Sequence, residues 1–194
     1  MNKCVVAGLI AAMALLLASC AAAPVPTTAY YTLTPVSETK SSALKARLMV
    51  EPFQIIGIYT ERPLLYRRGV ALTQYRYQFW AEPPALMWRD ALIDGLRGHG
   101  ATNVLTPETR VSADYILRSR LKRMEQVLDE GAAQAVLALE FVVADSAGRV
   151  VLSQDFDQQQ KLDSDDPEDY VKAINQLAGR AFTQLNAGLR DKIR

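Results

Sequence analysis

YILRSRLKRMEQVL, residues 115–128, alternates apolar with charged side chains, which is the period of a β-strand with one face in water. Gly131 then predicts a turn into a second strand, residues 134–143, in which apolar side chains again share one face. Asp145-Ser146-Ala147-Gly148 has the composition of a hairpin turn and leads into a third strand, residues 150–161. The three segments together predict an antiparallel meander.

Before this meander, residues 72–80 form a further strand-like run in which Tyr75, Tyr77 and Phe79 alternate with polar side chains. Gly69 separates it from residues 63–68, so the two runs predict a hairpin.

Two helices complete the predicted fold. The first opens at Glu82-Pro83-Pro84, because proline is tolerated in the first helical turn, and ends at Gly98-His99-Gly100. The second begins after Asp166 as the cap, with Pro167 at the first helical position. Strands and helices in this order predict the α+β class, with a mixed, largely antiparallel sheet and helices packed on one face.

Composition limits the function classes. The 194 residues include 22 Lys+Arg, 21 Asp+Glu, one His and two Cys, and 49% are hydrophobic. This length suits one domain, and a near-neutral charge argues against a chain held on nucleic acid by phosphate neutralisation. So few His and Cys residues leave little material for a zinc site or a His-based triad. We therefore predict no enzyme, no catalytic residue, no metal and no cofactor.

The amino terminus has the pattern of a secretory signal peptide. MNKCVVAGLIAAMALLLASC combines one cation, an apolar stretch and a small-residue end. A transmembrane anchor is the alternative, since the uncharged stretch is almost long enough, but it is followed by an Ala-Pro-Thr linker rather than by cations. The predicted boundaries are residues 1–19 for the signal peptide, 20–42 for the lipidated terminus and linker, and 43–194 for a single domain.

The tetrapeptide Leu17-Ala18-Ser19-Cys20 resembles the lipobox of bacterial lipoproteins. That resemblance implies cleavage after Ser19 and acyl chains on Cys20, several of which bind a bilayer firmly. By the sorting rule of such lipoproteins, Ala21 rather than Asp after the acylated cysteine implies export to the outer membrane, facing the periplasm.

Other candidate sites each have a structural explanation beside the functional one. His99 is expected in an exposed turn at a helix end, and the acidic residues 163–169 are expected to cap a helix rather than bind calcium. Aromatic residues are concentrated between Tyr59 and Trp88, where they can form core or a partner surface. The candidate partner surface comprises Tyr66, Arg67, Arg68, Arg118, Arg120 and Lys122, the last three as a cationic row that could meet lipid headgroups or an acidic partner, although a solvated sheet face is the alternative.

The order of these features resembles the ABC-type transport auxiliary lipoproteins, the family of the paraquat-inducible lipoprotein PqiC. The resemblance rests on the lipobox, on Tyr-Tyr-x-Leu at residues 30–33, and on Phe79-Trp80-Ala81-Glu82-Pro83 leading directly into a helix. It implies a non-catalytic auxiliary subunit that accompanies a mammalian-cell-entry (MCE) protein and an ABC-type permease in lipid transport between the two membranes.

Two other functions stay open from the sequence. A lipoprotein regulator of envelope or cell-wall synthesis enzymes is one, and a periplasmic lipid carrier is the other, which would need an internal cavity near Tyr75, Tyr77 and Trp88. Because MCE assemblies are ring-shaped, the resemblance also implies that the chain can form a homo-oligomer.

Overall fold

A computed structural model describes residues 26–35, 44–129 and 131–193. In this part of the chain one nine-stranded mixed sheet is covered by two α-helices. The strands are β1 (Ala29–Tyr31), β2 (Leu48–Val50), β3 (Gln54–Ile55), β4 (Pro63–Arg68), β5 (Ala71–Trp80), β6 (Val104–Leu105), β7 (Tyr115–Asp129), β8 (Ala132–Asp145) and β9 (Val150–Lys161); the helices are α1 (Pro84–Gly98) and α2 (Pro167–Lys192), and 3-10 turns occupy Gly57–Thr60 and Pro107–Thr109.

The predicted meander is confirmed by β7, β8 and β9, which pair antiparallel in chain order. Gly131 in the first turn has φ +78° and Gly148 in the second has φ +80°, a region that glycine enters without steric cost. In the second turn the Asp145 carboxylate accepts hydrogen bonds from the backbone N–H groups of Ala147 and Arg149. Both turns therefore have the local chemistry that tight antiparallel connections require.

The rest of the sheet is built on the other edge of β7. Strands β2, β3 and β4 pair with it in parallel, one after another along its length. Strands β4 and β5 form the predicted antiparallel hairpin, and β1 adds in parallel to β5 at the outer edge. The α+β prediction, with a mixed and largely antiparallel sheet, is confirmed.

Strand β7 contains a β-bulge. Leu121 lies opposite Leu139 and Arg123 lies opposite Ala138, so Lys122 is the extra residue. Before the bulge the odd-numbered residues from Leu117 face the core, and after it Met124 does. The simple alternation predicted for residues 115–128 is therefore interrupted in the middle of the strand.

Both helices pack on one face of the sheet and close a continuous core. The Asp166 side chain accepts a hydrogen bond from the Glu168 backbone N–H, which confirms the predicted cap of α2. From α1, Trp88 is fully buried, lies edge-on to Phe182 with ring centroids 6.1 Å apart, and donates from Nε1 to the Met124 sulfur at 3.3 Å. These contacts join both helices to β7 through apolar burial, the main favourable term in folding.

Three sequence expectations are corrected. His99 is buried rather than exposed, because α2 crosses the end of α1 and Arg190 donates to the His99 carbonyl at 2.7 Å. Strand β1 and the buried Leu33 lie within the 20–42 stretch assigned to the linker, so part of that stretch belongs to the folded domain.

The third correction concerns β5. Its register with β4 shifts between Pro63 and Leu65, so the predicted alternation does not hold along the whole strand. The Tyr75 hydroxyl reaches Gln126 of β7, whereas at the end of β5 it is Trp80 that is buried in the core.

The close approach of the two helices predicts a cost for Gly95→Ala. A methyl group at Gly95 would lie 2.9 Å from Cδ2 of Phe182, whose ring is held against Trp88. We expect the free energy of unfolding to fall by about 1–3 kcal/mol through overpacking, although alanine favours a helix by about 1 kcal/mol over glycine. Urea denaturation followed by tryptophan fluorescence measures this change.

The matched background is Phe182→Ala, which removes Cδ2 and the rest of the ring that the new methyl would meet. In that background Gly95→Ala is expected to cost less, or to stabilise. An equal effect of Gly95→Ala in both backgrounds would show that the helix contact does not restrict residue 95.

Candidate partner-contact surface

The residues predicted to carry the lipid, Leu17, Ala18, Ser19 and Cys20, lie outside the described residues. The six predicted partner-surface residues are described, and the register of the sheet divides them between its two faces. In the parallel pairing of β4 with β7, Tyr66 lies beside Gln126 and Arg67 beside Val127. Gln126, two residues after Met124, shares the helix-covered face of β7. Because side chains alternate along a strand, Tyr66 and Arg68 lie on that face as well, and Arg67 lies on the opposite face.

The face opposite the helices, which we call the outer face, carries Arg118 and Arg120 as the sequence predicted. Each of these cations pairs with an acid from a neighbouring segment. Arg118 Nε lies 3.1 Å from Glu51 Oε2, and Arg120 Nη1 lies 3.8 Å from Glu140 Oε2. The outer face is therefore a lattice of opposite charges rather than a purely cationic row.

Lys122 reaches the same lattice from its bulge position. Its ammonium lies 2.6 Å from Asp155 Oδ1 on β9, the residue directly opposite Glu140 in the β8–β9 ladder. This hydrogen bond with Asp155 raises the pKa of Lys122. The outer-face charges thus form a continuous patch over three strands, β7, β8 and β9.

Glu125 lies at the other end of this patch and is fully buried. Arg67 donates from Nε at 2.7 Å and from Nη2 at 2.9 Å, Arg123 donates at 2.7 Å, and the Tyr59 hydroxyl donates at 2.6 Å. Burial raises the pKa of Glu125, but these hydrogen bonds outweigh the effect of burial and lower the pKa to about 2. The bond from Arg67 contributes most to this lowering. Burial and the bond to Glu125 raise the pKa of Tyr59 to about 12.

This arrangement gives Arg67 a structural role. Its guanidinium makes two bonds to one buried carboxylate, a geometry that fixes both groups. Arg67 thereby ties β4 to β7, and the part of its side chain that stays exposed belongs to the outer face.

Tyr66 and Arg68 form a second, separate group. The Tyr66 ring lies 4.7 Å from that of Tyr75, and the Arg68 guanidinium lies 5.6 Å from the Tyr66 centroid. Arg68 also borders an open groove of about 650 Å³ at the β7–β8 turn, whose wall combines Lys161 with Asp163 and Asp165. The groove is mixed in charge, so it does not favour one sign of ligand.

A cluster at the β1 edge of the sheet joins Tyr30 to Phe79 and Arg62, two residues of the aromatic stretch that the sequence singled out. Tyr30 is 62% exposed, its ring centroid is 5.8 Å from that of Phe79, and the Arg62 guanidinium lies 5.6 Å from it. We call Tyr30, Phe79 and Arg62 the aromatic edge. Alternation along β1 places Tyr30 on the outer face, since Tyr31 packs against the core.

Within 26–35, 44–129 and 131–193, no three His, Cys, Asp or Glu side chains are grouped so as to hold a metal ion. In the same ranges no helix combines the length and apolar character needed to cross a membrane. The acidic residues 163–169 contribute the helix cap and the bond from Ser164 to Asp169.

The acids that complete the outer-face lattice were missed by sequence reasoning. Glu51, Glu140 and Asp155 come from three different segments, so only the fold brings them to the cations of β7. A signal was present for two of them: Glu140 and Asp155 fall at polar positions of predicted strands, where a cross-strand cation is a natural partner.

The outer face thus combines cations from β7 with acids from neighbouring segments of an α+β domain. The chain matches the family model described as "ABC-type transport auxiliary lipoprotein component" over residues 31–186, and it belongs to that family. The family is one of membrane-anchored lipoproteins that assist an ABC-type transport system.

Solved structures support the fold. Protein XCC0632 from Xanthomonas campestris has 20% sequence identity and a TM-score of 0.70, with 82% of this chain and 92% of that one covered. An uncharacterised protein is 16% identical with a TM-score of 0.64, covering 84% and 99%. The hypothetical protein CT253 from Chlamydia trachomatis is 12% identical with a TM-score of 0.50, covering 77% and 98%. No curated protein matches the sequence.

Proposed function

We propose that this protein is a non-catalytic auxiliary subunit of an MCE/ABC-type lipid transport system, acylated at Cys20 and held on the periplasmic side of the outer membrane. There it docks the periplasmic assembly, so that lipid does not have to cross water unaided. The family match over residues 31–186 carries this proposal, because it covers almost all of the described domain.

The outer face is the surface that we assign to the docked protein. Its cations and acids are exposed or partly exposed, lie on β7, β8, β9 and the segment after β2, and are matched to one another. A mutually neutralised lattice has a weak net field and would not draw an anionic bilayer, whereas a protein with its own charge pattern can exchange pairs with it. Such complementary patterns supply specificity and register more than raw affinity.

The lipid-carrier alternative is weakened by the packing around Trp88. A carrier needs an internal space, but Trp88 is fully buried against Phe53, Phe182 and the Met124 sulfur. The Tyr75 side chain is likewise engaged, with its ring against Tyr66 and its hydroxyl on Gln126. Two of the three side chains expected to line a cavity, Tyr75 and Trp88, are thus packed against neighbouring side chains.

Co-purification from detergent-solubilised envelopes tests the proposal. The acylated wild-type chain is expected to bring down an MCE protein and the permease, while Cys20→Ala should lose the acyl chains, the outer-membrane location and most of this yield. Intact mass of the purified chain verifies acylation independently. Recovery of cell-wall synthesis enzymes instead of any MCE or permease component would favour the regulator and overturn the transport role.

A surface variant separates anchoring from docking. Arg118→Gln with Arg120→Gln removes two outer-face cations, and loss of exposed ion pairs costs only about 0–1 kcal/mol each in stability. We expect the double variant to stay acylated and folded but to bind the periplasmic assembly roughly tenfold more weakly. Arg180→Gln, an exposed cation on α2, is the matched control and should bind like wild type.

A further inference from the structure

We propose that the aromatic edge, Tyr30, Phe79 and Arg62, contacts the phospholipid headgroup region of the membrane that holds the anchor. The inference rests on the proposed function in one respect, since it requires acyl chains on Cys20. It adds a second point of membrane contact on the folded domain itself, and with it a fixed orientation of the sheet relative to the bilayer.

Strand β1 holds the amino-terminal end of the domain firmly in the sheet. The chain joins the domain at Ala29, where β1 pairs with β5, and it stays attached through several further contacts. The Tyr31 hydroxyl donates to Gln78, and Asn175 of α2 accepts from the Thr34 N–H and donates to the Thr32 carbonyl. The segment that follows the linker is therefore bound on both sides of Leu33, which is buried.

The linker between Cys20 and β1 is short. Nine residues separate Cys20 from Tyr30, and at no more than about 3.3–3.6 Å each they span roughly 30 Å. Because β1 is an edge strand, Tyr30 lies at the side of the sheet where the anchored chain arrives. This side of the domain is thus kept close to the bilayer surface by covalent connection alone.

The aromatic edge has side chains that suit a membrane–water interface. A tyrosine ring joins an apolar body to a polar hydroxyl, which suits the boundary between hydrocarbon and water, where Tyr and Trp are enriched. Tyr30 presents such a ring at 62% exposure, backed by Phe79. Burying the ring in the interfacial region removes apolar surface from water, while the hydroxyl keeps access to hydrogen-bond partners.

Arg62 supplies the charge. Its Nε donates to the Trp80 carbonyl at 3.1 Å and its Nη2 to the Ala81 carbonyl at 2.8 Å, so the guanidinium is fixed beside Tyr30. These acceptors are neutral, so the bonds leave the positive charge in place, unlike the acid-paired cations of the outer-face lattice. A guanidinium has five N–H donors, and those not used here can bind a lipid phosphate.

Tryptophan fluorescence in membranes tests the proposal. The acylated full chain with Tyr30→Trp is reconstituted into vesicles of phosphatidylethanolamine and phosphatidylglycerol containing a lipid with a quenching group near the headgroup. Trp80 and Trp88 are 1% and 0% exposed, so they are shielded from the quencher. We expect the added emission to fall roughly twofold relative to vesicles without quencher, as for a side chain in the interfacial belt.

Val150→Trp is the matched control. Val150 is 61% exposed and lies on β9, five strands from β1, or about 24 Å across the sheet at 4.7–4.9 Å per strand. Its emission is expected to change little with quencher.

The outcomes separate the two proposals. Flotation of the protein with vesicles first verifies the anchor, and a chain that does not float contradicts both the anchor and the membrane contact. A chain that floats but shows equal quenching of Tyr30→Trp and Val150→Trp, or none, overturns the membrane contact and leaves the anchor intact. A change in the emission of Tyr30→Trp that occurs only after the periplasmic assembly is added would assign the aromatic edge to a protein partner, and would also overturn the proposal.

Discussion

Glu125→Ala is expected to lower the free energy of unfolding by about 3–5 kcal/mol, the cost of breaking a buried, hydrogen-bonded charge network. The fully buried carboxylate accepts from Arg67, Arg123 and Tyr59, so its removal leaves three donor side chains around a void and loosens the tie between β4 and β7. Urea denaturation followed by the fluorescence of the buried Trp80 and Trp88 measures the change.

Glu140→Ala is the control for this prediction. Glu140 is also an acid in the β7–β8 ladder, but it is partly exposed and pairs with Arg120 at 3.8 Å. Exposed pairs contribute about 0–1 kcal/mol, so the two alanine variants should differ by at least about 2 kcal/mol. Similar small costs for both would show that the Glu125 network contributes no more than an ordinary surface pair.

Acid is expected to remove much of the stability that the Glu125 carboxylate supplies. Its pKa is about 2 in the folded protein against an ordinary value of 4.5, so folding favours the charged form. The contribution is fully present above about pH 4.5 and is lost progressively as the pH falls toward 2. At about 1.4 kcal/mol per pKa unit, the loss is about 3 kcal/mol.

The comparison of wild type with Glu125→Gln isolates this effect. Other carboxyls, such as those of Asp114 and Asp145, also have lowered pKa values, through bonds with Arg47 and Arg149 respectively, and they titrate in both proteins. The difference in unfolding free energy between wild type and the glutamine variant should therefore shrink from pH 5 to pH 2. A difference independent of pH would place the folded-state pKa of Glu125 near its ordinary value.

The sequence predicts those parts of the fold that depend on local chemistry. Gly131 and Asp145 mark the turns of the meander, and Asp166-Pro167 marks the start of α2, because each acts within a few residues of itself. The bulge at Lys122 has no comparable local mark. In a bulge, two residues of β7 lie opposite one residue of β8, and the packing of the two strands decides where this occurs. An alternating sequence pattern does not show the position of the extra residue.

Long-range pairing explains the remaining misses. His99 is flanked by glycines and was expected in water, but α2, which begins 68 positions later at Pro167, covers it with Arg190. Pairs such as Arg118 with Glu51 depend on the parallel addition of short strands to β7, which leaves little trace in segments of two or three residues. The outer-face positions of Arg118 and Arg120 were thus predictable from periodicity, whereas their pairing with particular acids was not.

The attachment of β1 to the sheet sets how the domain searches for its partner. With Cys20 acylated as proposed, nine residues would tie the domain, which the chain enters at Ala29, to the bilayer and would confine it to a layer about 30 Å deep. Confinement on this scale gives an effective concentration in the millimolar range toward anything held at the same membrane. An interface that would be too weak between freely diffusing molecules could then stay occupied and still dissociate quickly.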